Sequence, residues 1–112
     1  MENKIIIGCL EKVRINGHEV LALIDTGATR SSIDLDLASD LKLGPIIKKS
    51  IIRSSHGKSV RPVVKAKIEI ASKRINAFFN ISARSHMSYK VLIGRNILKK
   101  GFLVDPSKGD IK

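Results

Sequence analysis

The chain has 112 residues, 43% of them hydrophobic, which predicts one small domain over residues 1–112 with a modest core. The single cysteine excludes an intrachain disulfide and suits a reducing compartment, and no apolar run reaches the length of a membrane span, so we expect a cytoplasmic protein that does not bind a membrane. The formal net charge is +11, which favours acidic partners, but only 4% of the residues are aromatic, which argues against a base-stacking platform.

The first elements in chain order are predicted to be strands. The apolar run over residues 4–10 predicts a strand, and Asn16-Gly17 between two β-prone arms predicts a tight hairpin. Residues 20–24 are apolar on both faces, which predicts a buried central strand. Residues 34–44 begin with acids and end at a Gly-Pro pair, which predicts a short helix.

The second half of the chain also reads as strands between turns. Along residues 60–70 the alternation predicts one inward face, carried by Val60, Pro62, Val64, Ala66, Ile68 and Ile70. Pro62 indicates an edge position at that point. The other predicted elements are strands over 45–54, 75–83 and 89–94, a helical turn over 95–100 and a last strand or two over 101–112. Together these elements predict an all-β, mainly antiparallel domain with one or two short helices.

The stretch LALIDTGATRSSID, residues 21–34, places an acid directly after an apolar strand. Asp25-Thr26-Gly27 is in most proteins only a turn, in which Asp bonds to nearby backbone and Gly permits positive φ. Here small and hydroxylated residues follow, which would let a carboxylate lie close to a second group. Two such carboxylates can share a proton and hold a water molecule, one acting as base and the other as acid. None of the other acids in the chain sits in a similar strand-to-glycine turn, so the simplest second acid is Asp25 of another copy, in a symmetric homodimer.

Three motifs in order resemble the retropepsins, the single-domain dimeric aspartic proteases of retroviruses and their cellular relatives. LIDTGA, residues 23–28, resembles the family's catalytic motif, and VLIGRNIL, residues 91–98, resembles its late strand and short helix. The segment between them has a glycine-containing hairpin in the place of the flap. The resemblance implies a closed, barrel-like single lobe and a homodimeric aspartic peptidase.

The resemblance also implies roles for individual residues. Asp25 would be the catalytic acid, Thr26 would bond across the dimer axis, and Gly27 would let the substrate backbone approach. A flap over residues 52–64, with Gly57 at its tip, would cover the substrate. The implied substrate-binding residues are Ala28, Thr29, His56, Gly57 and Lys58. Because the flap is basic, we expect an acidic peptide or protein as substrate.

Two features depart from the viral pattern. Retroviral enzymes carry acids where this chain has Thr29 and Arg30, and those acids pair with the helix arginine, so the partner of Arg95 is not predicted. The terminal segments that would build a dimer sheet, NKIIIGCL and GDIK, resemble the viral ones only loosely.

A narrower resemblance is to small prokaryotic proteins of this fold that are labelled ATP-dependent zinc proteases and are associated with ATP-grasp glutamate ligases. This resemblance to proteins that are associated with glutamate ligases implies a glutamate-rich substrate. The residues do not support a metal, because the chain has no His-Glu-x-x-His motif and its His and Cys residues lack zinc-ligand spacing. Gly57-Lys58-Ser59 lacks the upstream glycine of a phosphate-binding loop. We therefore expect no metal and no cofactor.

Two other functions are compatible with this sequence. A retropepsin-fold domain could dimerise and bind peptides without cutting them, since a fold does not guarantee chemistry. A basic β domain could instead bind nucleic acid, but lysines that are scattered along the chain and the few aromatic residues count against it. A nucleic-acid partner is therefore not expected from the sequence.

Overall fold

A computed structural model describes residues 3–109, apart from the side chain of Ser54. The elements in this part of the chain are β1 (Ile5–Ile7), β2 (Leu10–Ile15), β3 (His18–Ile24), β4 (Ser31–Asp34), α1 (Leu35–Asp40), β5 (Lys48–Ser54), β6 (Gly57–Ile70), β7 (Lys73–Ser82), β8 (Val91–Ile93), α2 (Arg95–Leu98) and β9 (Phe102–Val104).

Six strands form a closed barrel in the order β2-β3-β8-β4-β7-β6, and the pairing of β2 with β6 closes it. At the closure Val13 lies opposite Ile70 and Ile15 opposite Ile68. Apolar side chains from all six strands fill the interior, and the largest of the fully buried ones is Phe79. The predicted all-β, barrel-like fold with two short helices is confirmed.

The predicted β2–β3 hairpin is present, and its turn is Asn16-Gly17. Their φ angles are 49° and 83°, the left-handed values that a two-residue turn of this kind requires at both positions. The burial predicted for β3 is only half right. Ala22 and Ile24 face the core, but Leu21 is 43% exposed because it lies on the outer face of the barrel.

The alternation along β6 is confirmed where this strand belongs to the barrel. Its inward residues from Val64 onward are buried, as are the inward residues of β7. Val60 was predicted to face inward but is 59% exposed. The reason is that the β6–β7 ladder begins only at Val63, so β6 before that point pairs with β5 alone in a projecting hairpin. Pro62 lies just before this junction, at the edge position that its missing N–H favours.

The helix predicted over residues 34–44 is shorter, and Asp34 is its N-cap. Asp34 is buried, and its Oδ2 accepts hydrogen bonds from the N–H groups of Asp36 and Leu37 at 3.2 and 3.3 Å. Its Oδ1 accepts a third from the Arg84 N–H at 2.7 Å. That last bond is the largest cause lowering the pKa of Asp34, against the opposing effect of burial. One carboxylate thus joins β4, α1 and the segment before β8.

Outside the barrel, β1 and β9 form a two-stranded parallel sheet. Ile7 and Phe102 face the core, while Ile6 and Leu103 are 55% and 54% exposed. Of the terminal segment GDIK, only Gly109 lies within the described residues. Neither helix in residues 3–109 has the length and apolar character needed to cross a membrane.

The Asp34→Asn variant should lose about 1–2 kcal/mol of unfolding free energy at neutral pH, because a neutral side chain caps the helix and binds Arg84 less strongly. Since folding lowers the pKa of Asp34, its charged form stabilises the native state above the ordinary value of 3.8. That stabilisation is lost as the pH falls below this value, so the difference from wild type should shrink there. Urea unfolding between neutral pH and pH ~3 measures it. The exposed Asp36→Asn is the control, and an equal loss in both variants would contradict the assignment.

Candidate active site

Asp25 lies at the point where β3 leaves the barrel. The last residues of β3 pair in parallel with β8, and Ile24 lies opposite Ile93. The Asp25 N–H extends this ladder by one hydrogen bond to the Ile93 carbonyl at 2.9 Å. Its backbone position is therefore fixed by the barrel, while its side chain is only partly buried.

The residues after Asp25 turn tightly around its carboxylate. Oδ1 of Asp25 accepts a hydrogen bond from the Gly27 N–H at 2.9 Å, and its carbonyl accepts one from the Ala28 N–H at 3.2 Å. Gly27 is not among the glycines with positive φ. A Cβ at this position would lie 3.2 Å from Asp25 Oδ1, so glycine serves the close approach of the carboxylate rather than a left-handed backbone.

Arg95, at the start of α2, has its partners in this same loop. One guanidinium nitrogen donates to the Thr26 carbonyl at 2.9 Å and another to the Thr29 hydroxyl at 3.0 Å. The Arg95 N–H also donates to the Ala28 carbonyl at 2.8 Å. A carbonyl and a hydroxyl are thus the side-chain partners of Arg95, which the sequence left unpredicted. Thr29, predicted to bind substrate, has its hydroxyl engaged by Arg95.

A second set of bonds behind the loop involves Ser31 and Asn96, which the sequence did not mark as site residues. The buried Ser31 hydroxyl donates to the Asn96 side-chain oxygen at 2.7 Å and accepts from the Gly94 N–H at 2.9 Å. The Asn96 amide then donates to the Phe78 carbonyl at 3.1 Å, which joins α2 to β7. The only sequence signal was the run of small and hydroxylated residues after Gly27.

Gly94 is required because the backbone of the loop passes against it. A Cβ here would overlap the Arg30 carbonyl group and approach the Ala28 carbonyl oxygen to 2.9 Å. Any larger residue would push α2 away from the loop that carries Asp25.

The segment predicted as the flap forms the β5–β6 hairpin, and its tip differs from the prediction. The two-residue turn is Ser55-His56, and Gly57, with φ 112°, is the first residue of β6 rather than the tip. Lys58 lies opposite Arg53 in the ladder. The structure therefore brings residues 25–29 together with α2, and places the other three predicted binding residues at the end of a separate projecting hairpin.

Within residues 3–109, no three His, Cys, Asp or Glu side chains lie together in a group that could hold a metal ion.

Replacing Arg95 by Lys should loosen the loop, because a single ammonium cannot keep both side-chain hydrogen bonds in the geometry of the planar guanidinium. We expect the Ala28 amide to exchange its hydrogen about tenfold faster, with a loss of about 1–2 kcal/mol in global stability. Hydrogen exchange followed by NMR measures both. Arg74→Lys is the control, since its side chain is 88% exposed and should change stability by less than about 0.5 kcal/mol. An unchanged Ala28 exchange rate would show that Arg95 does not hold the loop.

Comparison with known proteins identifies the family. A crystal structure of Lpg0085, a protein of unknown function (DUF785) from Legionella pneumophila subsp. pneumophila str. Philadelphia 1, matches 91% of this chain and 93% of its own with a TM-score of 0.66. At 22% sequence identity this likeness shows a shared fold. No curated protein matches the sequence. A family model described as RimB-like, the retropepsin-like aspartic endopeptidase RimB, matches residues 36–112, and this description mentions neither zinc nor ATP. Since the match covers more than half of the chain, the protein belongs to the RimB-like family of retropepsin-like aspartic endopeptidases.

Proposed function

We propose that this protein is a homodimeric aspartic endopeptidase in which Asp25 from each of two copies forms the catalytic pair. The observation that carries the proposal is the fixed position of the Asp25 carboxylate, at the end of a barrel strand and inside a loop that Arg95 holds. Family membership supports it independently, although the matched segment begins after Asp25.

The second carboxylate is assigned to another copy because the other acids of the described chain are placed elsewhere. Asp34 caps α1, Glu11 accepts from the Gly8 N–H, and Asp105 accepts from Ser107. A symmetric dimer with Asp25 beside its twofold axis would supply an identical second group. The exposed Ile6 and Leu103 on the β1–β9 sheet offer apolar surface for such a contact.

The pair would act as acid and base on one water molecule. One Asp25 carboxylate takes a proton from the water molecule while the water oxygen attacks the peptide carbonyl carbon. The other Asp25, which is protonated, donates its proton to the carbonyl oxygen. The resulting diol then collapses, the carbon–nitrogen bond breaks, and the leaving nitrogen takes up a proton. The Gly27 N–H orients Oδ1 for this exchange, and the protons belong to the pair rather than to either residue.

The β5–β6 hairpin would cover the bound peptide as a flap. Its stem and arms carry exposed apolar side chains that could contact a ligand, namely Ile46, Ile47, Ile51 and Val60. Closing such a hairpin excludes water from the reaction. Its basic residues, Lys58 and Arg61 among them, favour an acidic or glutamate-rich peptide.

A mixing experiment tests the shared catalytic pair. Excess Asp25→Asn protein added to a limiting amount of wild type should suppress peptide cleavage in proportion to the mixed dimers formed, because each mixed dimer has one carboxylate. Asp25→Asn alone should lose at least about 1000-fold in rate, as expected for a lost catalytic group. Cleavage is read by mass spectrometry on a peptide library.

The exposed Asp40→Asn is the matched control and should neither suppress wild type nor lose activity. Suppression by both variants would show that added protein inhibits cleavage for a reason other than the loss of one Asp25 carboxylate from each mixed dimer. If wild type that sediments as a dimer cuts nothing in the library, the protein is better described as a peptide-binding module.

Substrate preference is tested by reversing two charges on the flap. Lys58→Glu combined with Arg61→Glu should reduce the preference for acidic over neutral peptides several-fold, since each exposed charge pair contributes up to about 1 kcal/mol. The comparison uses kcat/KM for paired acidic and neutral peptides at two salt concentrations. An unchanged ratio would exclude the flap cations as the source of preference.

A further inference from the structure

The fold gathers basic residues that the sequence scatters. On the outer surface of the barrel, neighbouring strands place cations side by side. Arg14 of β2 lies opposite Glu69 of β6, which lies opposite Arg74 of β7, and Lys65 and Lys67 follow along β6. We define the basic face by six exposed residues: Arg14, Arg30, Lys48, Lys65, Lys67 and Arg74. Two acids lie beside these cations: Glu69, which is paired with Arg74 at 3.2 Å, and the exposed Glu19, which lies opposite Arg14 in the β2–β3 ladder.

An exposed aromatic ring lies in the middle of the basic face. Phe78 is 42% exposed, and the Lys48 and Lys65 ammonium groups lie 4.3 and 5.9 Å from the centre of its ring. This arrangement suits a stacked base, since the displaced ammonium groups would then stand beside the phosphate of that nucleotide.

Two recesses lie along the same face: Phe78 lines one of them, and Asn76, the neighbouring outward residue of β7, lines the other. One, of about 610 Å³, is lined by Arg14, Lys67, Arg74 and the amide side chains of Asn16 and Asn76. The other, of about 420 Å³, is lined by Arg30, Lys48 and Ser50, together with Asn80 and Asn96. Neither lining contains an acid other than Glu69. Cations with amide side chains between them can bind phosphates and the polar edges of bases.

Ser50 supplies an independent sign of a ligand in the second recess. Its side chain is only 6% exposed, and its hydroxyl has no hydrogen-bond partner among the described residues. A buried hydroxyl without a partner costs free energy. A phosphate oxygen held by Arg30 and Lys48 in this recess would satisfy it.

We propose that the basic face binds single-stranded nucleic acid, with a base stacked on Phe78 and phosphates held by the surrounding cations. Outward residues of a strand are spaced by roughly 7 Å, so the row from Arg74 to Asn80 offers about 20 Å of contact. An acidic polypeptide would match the charge but would leave the exposed ring of Phe78 without a stacking partner. The sequence alone argued against nucleic acid because the lysines are dispersed and aromatics are rare, but pairing of distant strands brings the cations around one exposed ring.

Binding is measured by fluorescence anisotropy with labelled single-stranded RNA and DNA of about 12 nucleotides, within the range of site sizes for such surfaces. The Lys65→Glu/Lys67→Glu variant should bind at least about tenfold more weakly, and the slope of log affinity against log salt should fall by about 1.4. Phe78→Ala should weaken binding by about fivefold to 100-fold through lost stacking, and Phe78→Trp should restore it.

The matched control is Lys99→Glu/Lys100→Glu, which reverses two exposed charges outside the basic face. Each double variant removes two positive charges and adds two negative ones, which takes the net charge from +11 to +7. The control should stay within about twofold of wild type. Thermal melting and cleavage of neutral peptides should be unchanged in both double variants, while Asp25→Asn should bind nucleic acid normally, so this proposal and the catalytic one can fail separately.

Three results would overturn the proposal. These are no binding of the oligonucleotide at low salt, an equal loss of affinity in the basic-face and control variants, or an affinity that is unchanged in Phe78→Ala. Displacement of the oligonucleotide by poly-glutamate at matched charge concentration would show instead that the face recognises acidic polypeptides.

Discussion

The contact between Gly94 and the backbone of residues 28–30 is the constraint on which the site depends. Because Gly94 has no side chain, α2 can start directly against the Ala28 and Arg30 carbonyl groups. The Arg95 N–H can then bond to Ala28, and its guanidinium can reach Thr26 and Thr29. The loop is thus held at one end by the β3–β8 ladder and along its length by α2. A carboxylate on such a loop has its orientation fixed before any ligand binds, which is the condition for electrostatic catalysis.

The loop is attached to the Arg95 side chain through neutral groups. Arg95 bonds to the Thr26 carbonyl and the Thr29 hydroxyl rather than to a carboxylate. Bonds of this kind do not depend on the titration of an acid. The next residue, Arg30, is a cation that lines a recess together with Lys48. Arg30 is therefore one of the cations of the basic face as well as a neighbour of the loop.

Much of the fold could be predicted because its signals are local. Asn16-Gly17 specifies its own turn, the alternation along β6 and β7 follows from the strand period, and Asp34 marks a helix start by its capping chemistry. Long-range pairing was not predictable in this way. Nothing near Val91 indicates that β8 inserts between β3 and β4, and nothing near Arg95 reveals Thr26 as its partner. The exposure of Val60 likewise depends on where β7 begins to pair with β6, far along the chain.

Strand alternation separates the two proposed functions within one small barrel. Along β6, Ala66 and Ile68 point into the core, while Lys65 and Lys67 point outward, so the outer charges can change without altering the packing that positions Asp25. The two sites still influence each other through the electric field. Arg30 stands five residues after Asp25 and borders the basic face, and exposed charges interact over about 8–10 Å at ordinary salt. A polyanion on that face would reduce the positive potential near the loop that carries Asp25. The attraction of an acidic peptide to the Arg30 end of this loop would then be weaker. Occupancy of the face would thus oppose binding of acidic substrates while leaving the carboxylate pair and its hydrogen bonds intact, an effect on substrate capture rather than on the chemical step.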